Sequence, residues 1–289
     1  MKTGLVLEGG AMRGLFTSGI LDVLMERGMG HAFDGMVGVS AGACFGCNFK
    51  SEQPGRVLRY NRKYCTHYKY GSYLSWILSG DVFDVRFCYD EIPNRLDPMD
   101  YRAFENHPME FYAVATSLQT GLACYKLIRK VGPLEMRWIR ASASLPLLSR
   151  PVPIGKNLYL DGGMSDSVPL AFMEGRGYEK NVVILTRPDG YEKKEDRLFP
   201  LMAKAYRNYP AFVEKIRRRP AIYNAQLAFV KEREASGRAF VFRPEHELNC
   251  DGMVHDPDVL LRVYNLGRSV AKKRWDELQA FLAGDPPRA

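Results

Sequence analysis

Residues Met36-Val-Gly-Val-Ser40-Ala-Gly-Ala-Cys-Phe-Gly-Cys-Asn-Phe49 join a short apolar run to small, helix-compatible residues through a Gly-x-Ser-x-Gly set centred on Ser40. Few folds tolerate a strand that becomes a helix within one residue. The flanks of such a turn leave no room for side chains, which suits Gly38 and Gly42. The Ser40 hydroxyl then stands clear of a sheet edge at a helix N-terminus, where unpaired backbone N–H groups and the helix dipole favour negative charge. Patterns this short also occur in plain turns, so two readings stand here: an activated serine, and a tight strand–helix turn without chemistry.

The neighbouring segments set the fold class. Lys2–Glu8 reads as a strand, residues 9–14 as a loop, and Leu15–Arg27 as an amphipathic helix with Phe16, Ile20, Val23 and Leu24 on one face, ended by Gly28 and Gly30. Strand, helix, strand and helix within fifty residues imply parallel strands joined by right-handed crossovers. Further strands are expected at 111–117, 123–128, 158–160, 181–186 and 239–243, with helices at 134–143 and from Pro169 to Gly175. Residues 56–78 are rich in Tyr and Trp with helical stretches, and 90–100 reads as a polar loop interrupted by proline. Residues 197–234 form a basic helical stretch cut by Pro200, Pro210 and Pro220. Asp256-Pro257 opens a helix toward Phe281, and residues 284–289 are expected to fray. The expected fold is α/β, with a mostly parallel central sheet flanked by helices and a helical C-terminal subregion.

Charge and cysteine usage narrow the setting. No apolar run reaches the roughly 18 residues that suggest a membrane-spanning helix. The first eight residues carry a charge and a glycine too early for a signal peptide, so a cytoplasmic location is expected. Cys44, Cys47, Cys65, Cys88, Cys124 and Cys250 show no disulfide framework. The Cys44-x-x-Cys47 pair has no second pair to complete a metal site and reads as two small buried helix residues. Net charge is +8, with clusters at Arg217–Arg219 and Lys272–Arg274. Such surfaces suit anionic partners such as phospholipid head groups, although an ordinary solvated helix face stays open. No nucleic-acid motif accompanies the charge, so no nucleic acid is expected.

A serine needs a base. His31, His67, His107, His246 and His255 occupy no obvious strand-end loop. Asp161 follows the strand at 158–160 and precedes Gly162 and Gly163. C-terminal ends in a parallel sheet share one edge, where ligand sites form, so Ser40 and Asp161 are expected there together. A plain Asp-Gly turn is the alternative for Asp161. The loop Gly9-Gly10-Ala11-Met12-Arg13-Gly14 also ends a strand and opens a helix. It lacks the Lys-Ser/Thr of a P-loop, and Ala11 breaks the dinucleotide-binding glycine pattern. Its N–H groups could form an oxyanion hole, where losing one donor costs about 3–4 kcal/mol, with Arg13 adding positive charge. A simple tight turn is the alternative.

Together these blocks, in order, with Arg140-Ala-Ser-Ala-Ser-Leu-Pro146 before the Asp block, resemble the patatin-like phospholipase family in its bacterial form. The resemblance covers residues 3–190. It implies a three-layer α/β fold and a serine acyl hydrolase acting on lipid esters through an acyl-enzyme. Ser40 would be the nucleophile and Asp161 the base, with residues 9–14 as oxyanion hole and Gly38, Gly42, Gly162 and Gly163 as supporting positions. No metal or organic cofactor is implied. Ala11 replaces a glycine usual in the family, which implies a slightly different shape for the hole. Residues 3–190 would form the catalytic domain, with the basic, mostly helical 191–289 packed on it.

Ser142 and Ser144 read as helix-end or packing residues. The rival enzyme is an α/β-hydrolase with a Ser-His-Asp triad, which needs more strands before its nucleophile than the single one here. The rival from another class is a lipid- or membrane-surface-binding module without hydrolysis. Peripheral contact with an anionic membrane is expected, with residues 60–100 as a lid or lipid entry face.

Overall fold

Eight strands form one mixed sheet in a computed structural model that describes residues 1–250 and 252–284. β1 (Lys2–Leu7) leads through a one-turn 3-10 helix, Ala11–Arg13, into α1 (Gly14–Glu26). β2 (Gly35–Val39) then turns into α2 (Ala41–Lys50). The helices α3 (Arg56–Tyr64), α4 (Tyr73–Ser79) and α5 (Tyr101–Asn106) precede β3 (Glu110–Ser117) and β4 (Ala123–Leu127). Next come α6 (Pro133–Ser142), β5 (Val152–Ile154), β6 (Asn157–Asp161), α7 (Leu170–Gly175) and β7 (Tyr178–Ile184). The chain continues through α8 (Phe199–Ala205), α9 (Pro210–Ala235), β8 (Ala239–Phe242), α10 (Pro257–Lys273) and α11 (Trp275–Ala283).

Strands pair in the order β5-β6-β3-β2-β1-β7-β8, with β4 also on β3. The pairings among β3, β2, β1, β7 and β8 are parallel, and those of β4, β5 and β6 are antiparallel. Alternate residues of β1 enter different cores. Leu5 and Leu7 pack with Phe16, Ile20 and Leu260, whereas Val6 packs with Leu170, Met173 and Val230. Helices therefore cover both faces, which is why these strands read as continuous apolar runs.

One register relation positions the site. β3 pairs with β2 through Val39↔Val114 and with β6 through Asp161↔Ala115. β4 spans residues 112–116 of β3 and overlaps both, so it occupies the other edge. β2 and β6 thus lie end to end on one edge of β3, meeting at their C-termini. This corrects the expectation that both ends lie on the common edge of parallel strands: β6 runs antiparallel, and the two ends meet head on.

Other expectations also change. Residues Phe87–Leu96 form a π-helical segment containing Pro93, where a loop was expected. Pro220 lies inside α9, which runs on to Ala235 and is not cut there. Pro200 and Pro210 sit in the first turns of α8 and α9, where a missing N–H is tolerated. The helix opened by Asp256 breaks at Arg274 into α10 and α11. The three-residue β5 has no expected counterpart. The anticipated fraying at 284–289 falls, beyond Gly284, outside the described residues.

Candidate active site

Ser40 has φ 56° and ψ −123°, a backbone that L residues rarely adopt. Tight packing on both sides holds it there. A Cβ on Gly38 would lie 2.5 Å from the Gly42 carbonyl oxygen, and one on Gly42 would lie 2.6 Å from the Leu7 oxygen. The Ser40 N–H donates to Ser142 Oγ at 2.9 Å, and the Ser40 carbonyl accepts the first helical bonds of α2 from Ala43 and Cys44. Ser142 is therefore more than a helix-end residue: it satisfies the donor at the centre of the elbow.

Asp161 is 1% exposed. Its N–H donates to the Ser144 carbonyl at 2.8 Å, its carbonyl accepts from Thr116 Oγ1 at 2.8 Å, and its Oδ1 accepts the Gly163 N–H at 2.7 Å. A Cβ on Gly162 would lie 2.2 Å from the Val114 carbonyl oxygen, so only glycine lets the turn press against β3. Burial pushes the Asp161 carboxyl up to about 6; the Ser40 hydroxyl beside it, the Gly163 N–H and the Arg219 charge pull it back down. Oδ2 closes no hydrogen bond of ordinary geometry. The structure thus brings Ser40 and Asp161 together, with the hydroxyl beside the carboxyl but not locked to it.

Arg219 escapes the sequence reading. Its Nε donates to the Gly163 carbonyl at 2.6 Å, and burial lowers its pKa. Arg217 and Arg218 face solvent, as a basic cluster should, but Arg219 turns inward. The signal was present in α9. Phe212, Ile216, Tyr223 and Val230 are buried, and Arg219 and Gln226 complete the same three- and four-residue spacing. Along that stripe Tyr223 donates to Glu8 Oε1 at 2.5 Å, and Gln226 donates to Asp166 at 2.5 Å. Glu8, buried at the end of β1, also accepts from the Thr186 N–H and hydroxyl.

In the loop after β1, Ala11 has φ 48°, so it bears the strain that a glycine would avoid. Arg13 N–H closes the turn onto the Gly10 carbonyl at 3.1 Å, and Thr186 Oγ1 donates to the Gly9 carbonyl. Gly9, Gly10, Ala11 and Arg13 line one cavity with Ser40 and Asp161. Met12 points into the core and the neighbouring apolar cavity, while Gly14 packs against Phe45 as α1 begins.

Two cavities meet at Ser40. One, of about 600 Å³, is walled by apolar and aromatic side chains including Tyr60, Tyr70, Phe83, Ile92, Met136 and Ile139. The other, of about 200 Å³, is polar and holds Asp161, Arg13 and Arg219. Near the mouth of the first, Tyr73 on α4 is 67% exposed, with Ile77 and Leu78 equally bare.

None of the five histidines bonds to Ser40 or Asp161 among the described residues. His255 Nδ1 meets the Cys65 carbonyl at 2.7 Å, His31 stacks on His107, and His67 stacks on Phe87. Cys44 lines the apolar cavity and burial pushes its thiol up to about 12, which suppresses thiolate chemistry.

A three-layer α/β chain with a strained elbow serine at the junction of an apolar and a polar cavity belongs to the class of α/β folds built around a nucleophile elbow. Residues 5–173, more than half of the chain, match the model of the family described as patatin-like phospholipase, and the chain belongs to that family. Membership supports lipid hydrolysis at the level of the family. Residues 209–283 match a domain of unknown function, DUF6363.

Among curated proteins, the uncharacterized protein YjjU of Escherichia coli K12 is 32% identical over 192 residues, covering 65% of this chain and 52% of its own. Lysophospholipase NTE1 of Kluyveromyces lactis is 30% identical over 182 residues, covering 60% of this chain and 12% of its own. The chain thus spans about half of one relative and a small part of the other. The crystal structure of VipD from Legionella pneumophila covers 96% of this chain and is covered to 67%, with a TM-score of 0.50 and 12% identity, a likeness of fold alone. Among the described residues no helix is long and apolar enough to cross a membrane.

Proposed function

We propose that this chain is a serine acyl hydrolase that cleaves carboxyl esters of lipids through a Ser40–Asp161 dyad and an acyl-enzyme. The observation that carries the reading is the head-on meeting of β2 and β6 on β3, which sets the elbow serine beside a buried carboxylate where the two cavities join. The acyl chain occupies the apolar cavity. Asp161 takes the Ser40 proton as Oγ attacks the ester carbonyl, and the N–H groups of Gly10 and Ala11 hold the oxyanion. The tetrahedral intermediate collapses, and the leaving alcohol takes the proton from Asp161. Asp161 then deprotonates a water, which attacks the acyl-enzyme; the second intermediate collapses, Ser40 recovers its proton, and the fatty acid departs. A carboxyl with a pKa of about 6 is mostly ionised at neutral pH yet more basic than an ordinary aspartate, which suits a base.

Exposed Tyr73, Leu74, Ile77 and Leu78 on α4 support contact with a lipid surface at the mouth of the apolar cavity. The catalytic unit is assigned to residues 3–190, with the described residues from 191 onward packed on it. Unbridged Cys44, Cys47, Cys65, Cys88 and Cys124 suit a reducing cytoplasm with peripheral membrane contact.

The test is a panel of short-chain esters and phospholipids assayed with wild type, Ser40→Ala and Asp161→Asn, alongside labelling by a fluorophosphonate probe. Wild type is expected to label at Ser40, and each substitution to cut turnover by roughly a thousandfold or more. A folded wild type that neither labels nor cleaves any ester would mark a lipid-binding module. Wild-type rates in Asp161→Asn would remove the dyad.

A further inference from the structure

The polar cavity beside Ser40 has a charge pattern that ester hydrolysis alone does not require. Arg13, Arg187, Lys193 and Arg219 all line its 200 Å³, and they come from three separate regions of the chain: the loop after β1, the connection after β7, and α9. They crowd one another. Burial lowers the Lys193 pKa to about 8, and the charges of Arg219, Arg187 and Arg13 add to the effect.

The carboxylates facing this space are largely committed. Glu8 accepts from Thr186 and Tyr223, Glu247 pairs with Arg187 at 2.5 Å, and Asp161 holds Gly163. Asp196 acts on Lys193 and Arg219 only as a nearby charge. Among the described residues Lys193 Nζ has no ion pair or hydrogen bond, Arg219 donates only through Nε, and Arg13 Nε is buried without a partner. Two tyrosines also line the cavity, but cations already cover their faces: Arg187 lies 4.4 Å from the Tyr191 ring centre and Lys193 lies 5.6 Å from that of Tyr223. No aromatic cage is left for a quaternary ammonium group.

We propose that this cavity is a subsite for the phosphate of a glycerolipid head group, and that it selects lipids whose phosphate carries no cationic substituent. The inference rests on the acyl hydrolase reading of Ser40. With the acyl chain in the apolar cavity and the ester at Ser40, the phosphate of a glycerophospholipid sits a few bonds further on, within the cationic pocket. A phosphomonoester gains charge-assisted hydrogen bonds there. A choline or ethanolamine head group brings positive charge against Arg13, Lys193 and Arg219, and a neutral glyceride leaves those three without an ion pair among the described residues, Arg187 being held by Glu247. Through Arg219 and the Asn224 contact that holds the Lys193 backbone, α9 then has a role in substrate choice.

The experiment compares kcat/KM of the full chain on oleoyl lysophosphatidic acid, oleoyl lysophosphatidylcholine and monooleoylglycerol in the same neutral detergent micelles. Variants are Lys193→Gln and the charge-keeping Lys193→Arg. Calorimetric titration with inorganic phosphate and fluorophosphonate labelling of Ser40 run in parallel. Expected is at least a tenfold preference for the phosphomonoester over the choline lipid. Lys193→Gln should reduce that ratio about tenfold and weaken phosphate binding, while Lys193→Arg keeps both. Labelling and ester cleavage with a ratio near one, or a ratio unmoved in Lys193→Gln, overturn the head-group subsite and leave the hydrolase standing. Phosphate binding with no lipid preference marks a site for free phosphate and also overturns it. If Ser40 does not label and no ester is cleaved, the hydrolase reading fails and the head-group inference falls with it.

Discussion

Replacing Asp161 by Asn is expected to abolish turnover and to make the folded protein more stable at neutral pH. The Asp161 pKa in the fold, about 6, lies above the ordinary aspartate value of 3.8. Since one pKa unit is worth about 1.4 kcal/mol, the gap corresponds to about 3 kcal/mol of stability. The sign follows from the direction of the shift. The folded state holds this proton more tightly than the unfolded chain, so the contribution is complete below pH 4 and is lost as pH rises through 6. A neutral amide escapes that loss. It can keep the Gly163 hydrogen bond through its carbonyl, but it places an NH₂ where Oδ2 lacks a partner, a cost of about 1 kcal/mol. Urea unfolding of both proteins at pH 4 and pH 7.5 gives the comparison. A net gain of about 2 kcal/mol is expected at pH 7.5 and none, or a small loss, at pH 4. A variant no more stable than wild type at pH 7.5, or a difference that ignores pH, refutes the reasoning.

Arg219→Gln removes a positive charge that holds the Asp161 pKa down. On the proposed mechanism the acid limb of kcat/KM should move to higher pH than in wild type, with activity recovered as pH rises further; an unmoved limb would deny Arg219 this influence. Ser142→Ala leaves the Ser40 N–H buried without its acceptor. The expected loss is about 1 kcal/mol in urea unfolding together with a fall in kcat larger than any change in KM, and unchanged kcat would mean the elbow holds without it.

What could be read without coordinates was local. The sharp turn at Ser40 declares itself because Gly38 and Gly42 are the only residues its packing admits. Asp161 was legible for a similar reason, with Gly162 pressed against β3. The direction of β6 was not, because a strand's partner and sense are set by pairing with β3 rather than by its own five residues. Ser142 stands 102 positions from Ser40, and no periodicity links them. Arg219 hid inside a run of three arginines of which two are solvated, although its place in the α9 stripe could have exposed it. The π-helical turn around Pro93 and the Pro220 position inside α9 mislead for the opposite reason: a residue that usually ends helices is carried by tertiary packing.

The join between β2 and β6 has a temporal consequence. A nascent chain that has left the ribosome only as far as α6 carries Ser40 but neither its proposed base nor the arginine that bonds the turn behind it. On the proposed mechanism such a fragment cannot attack a bilayer. On the same mechanism, competence to cleave lipid esters arrives only after translation has passed Asp161, so copies terminated before it would be harmless to the membranes around them.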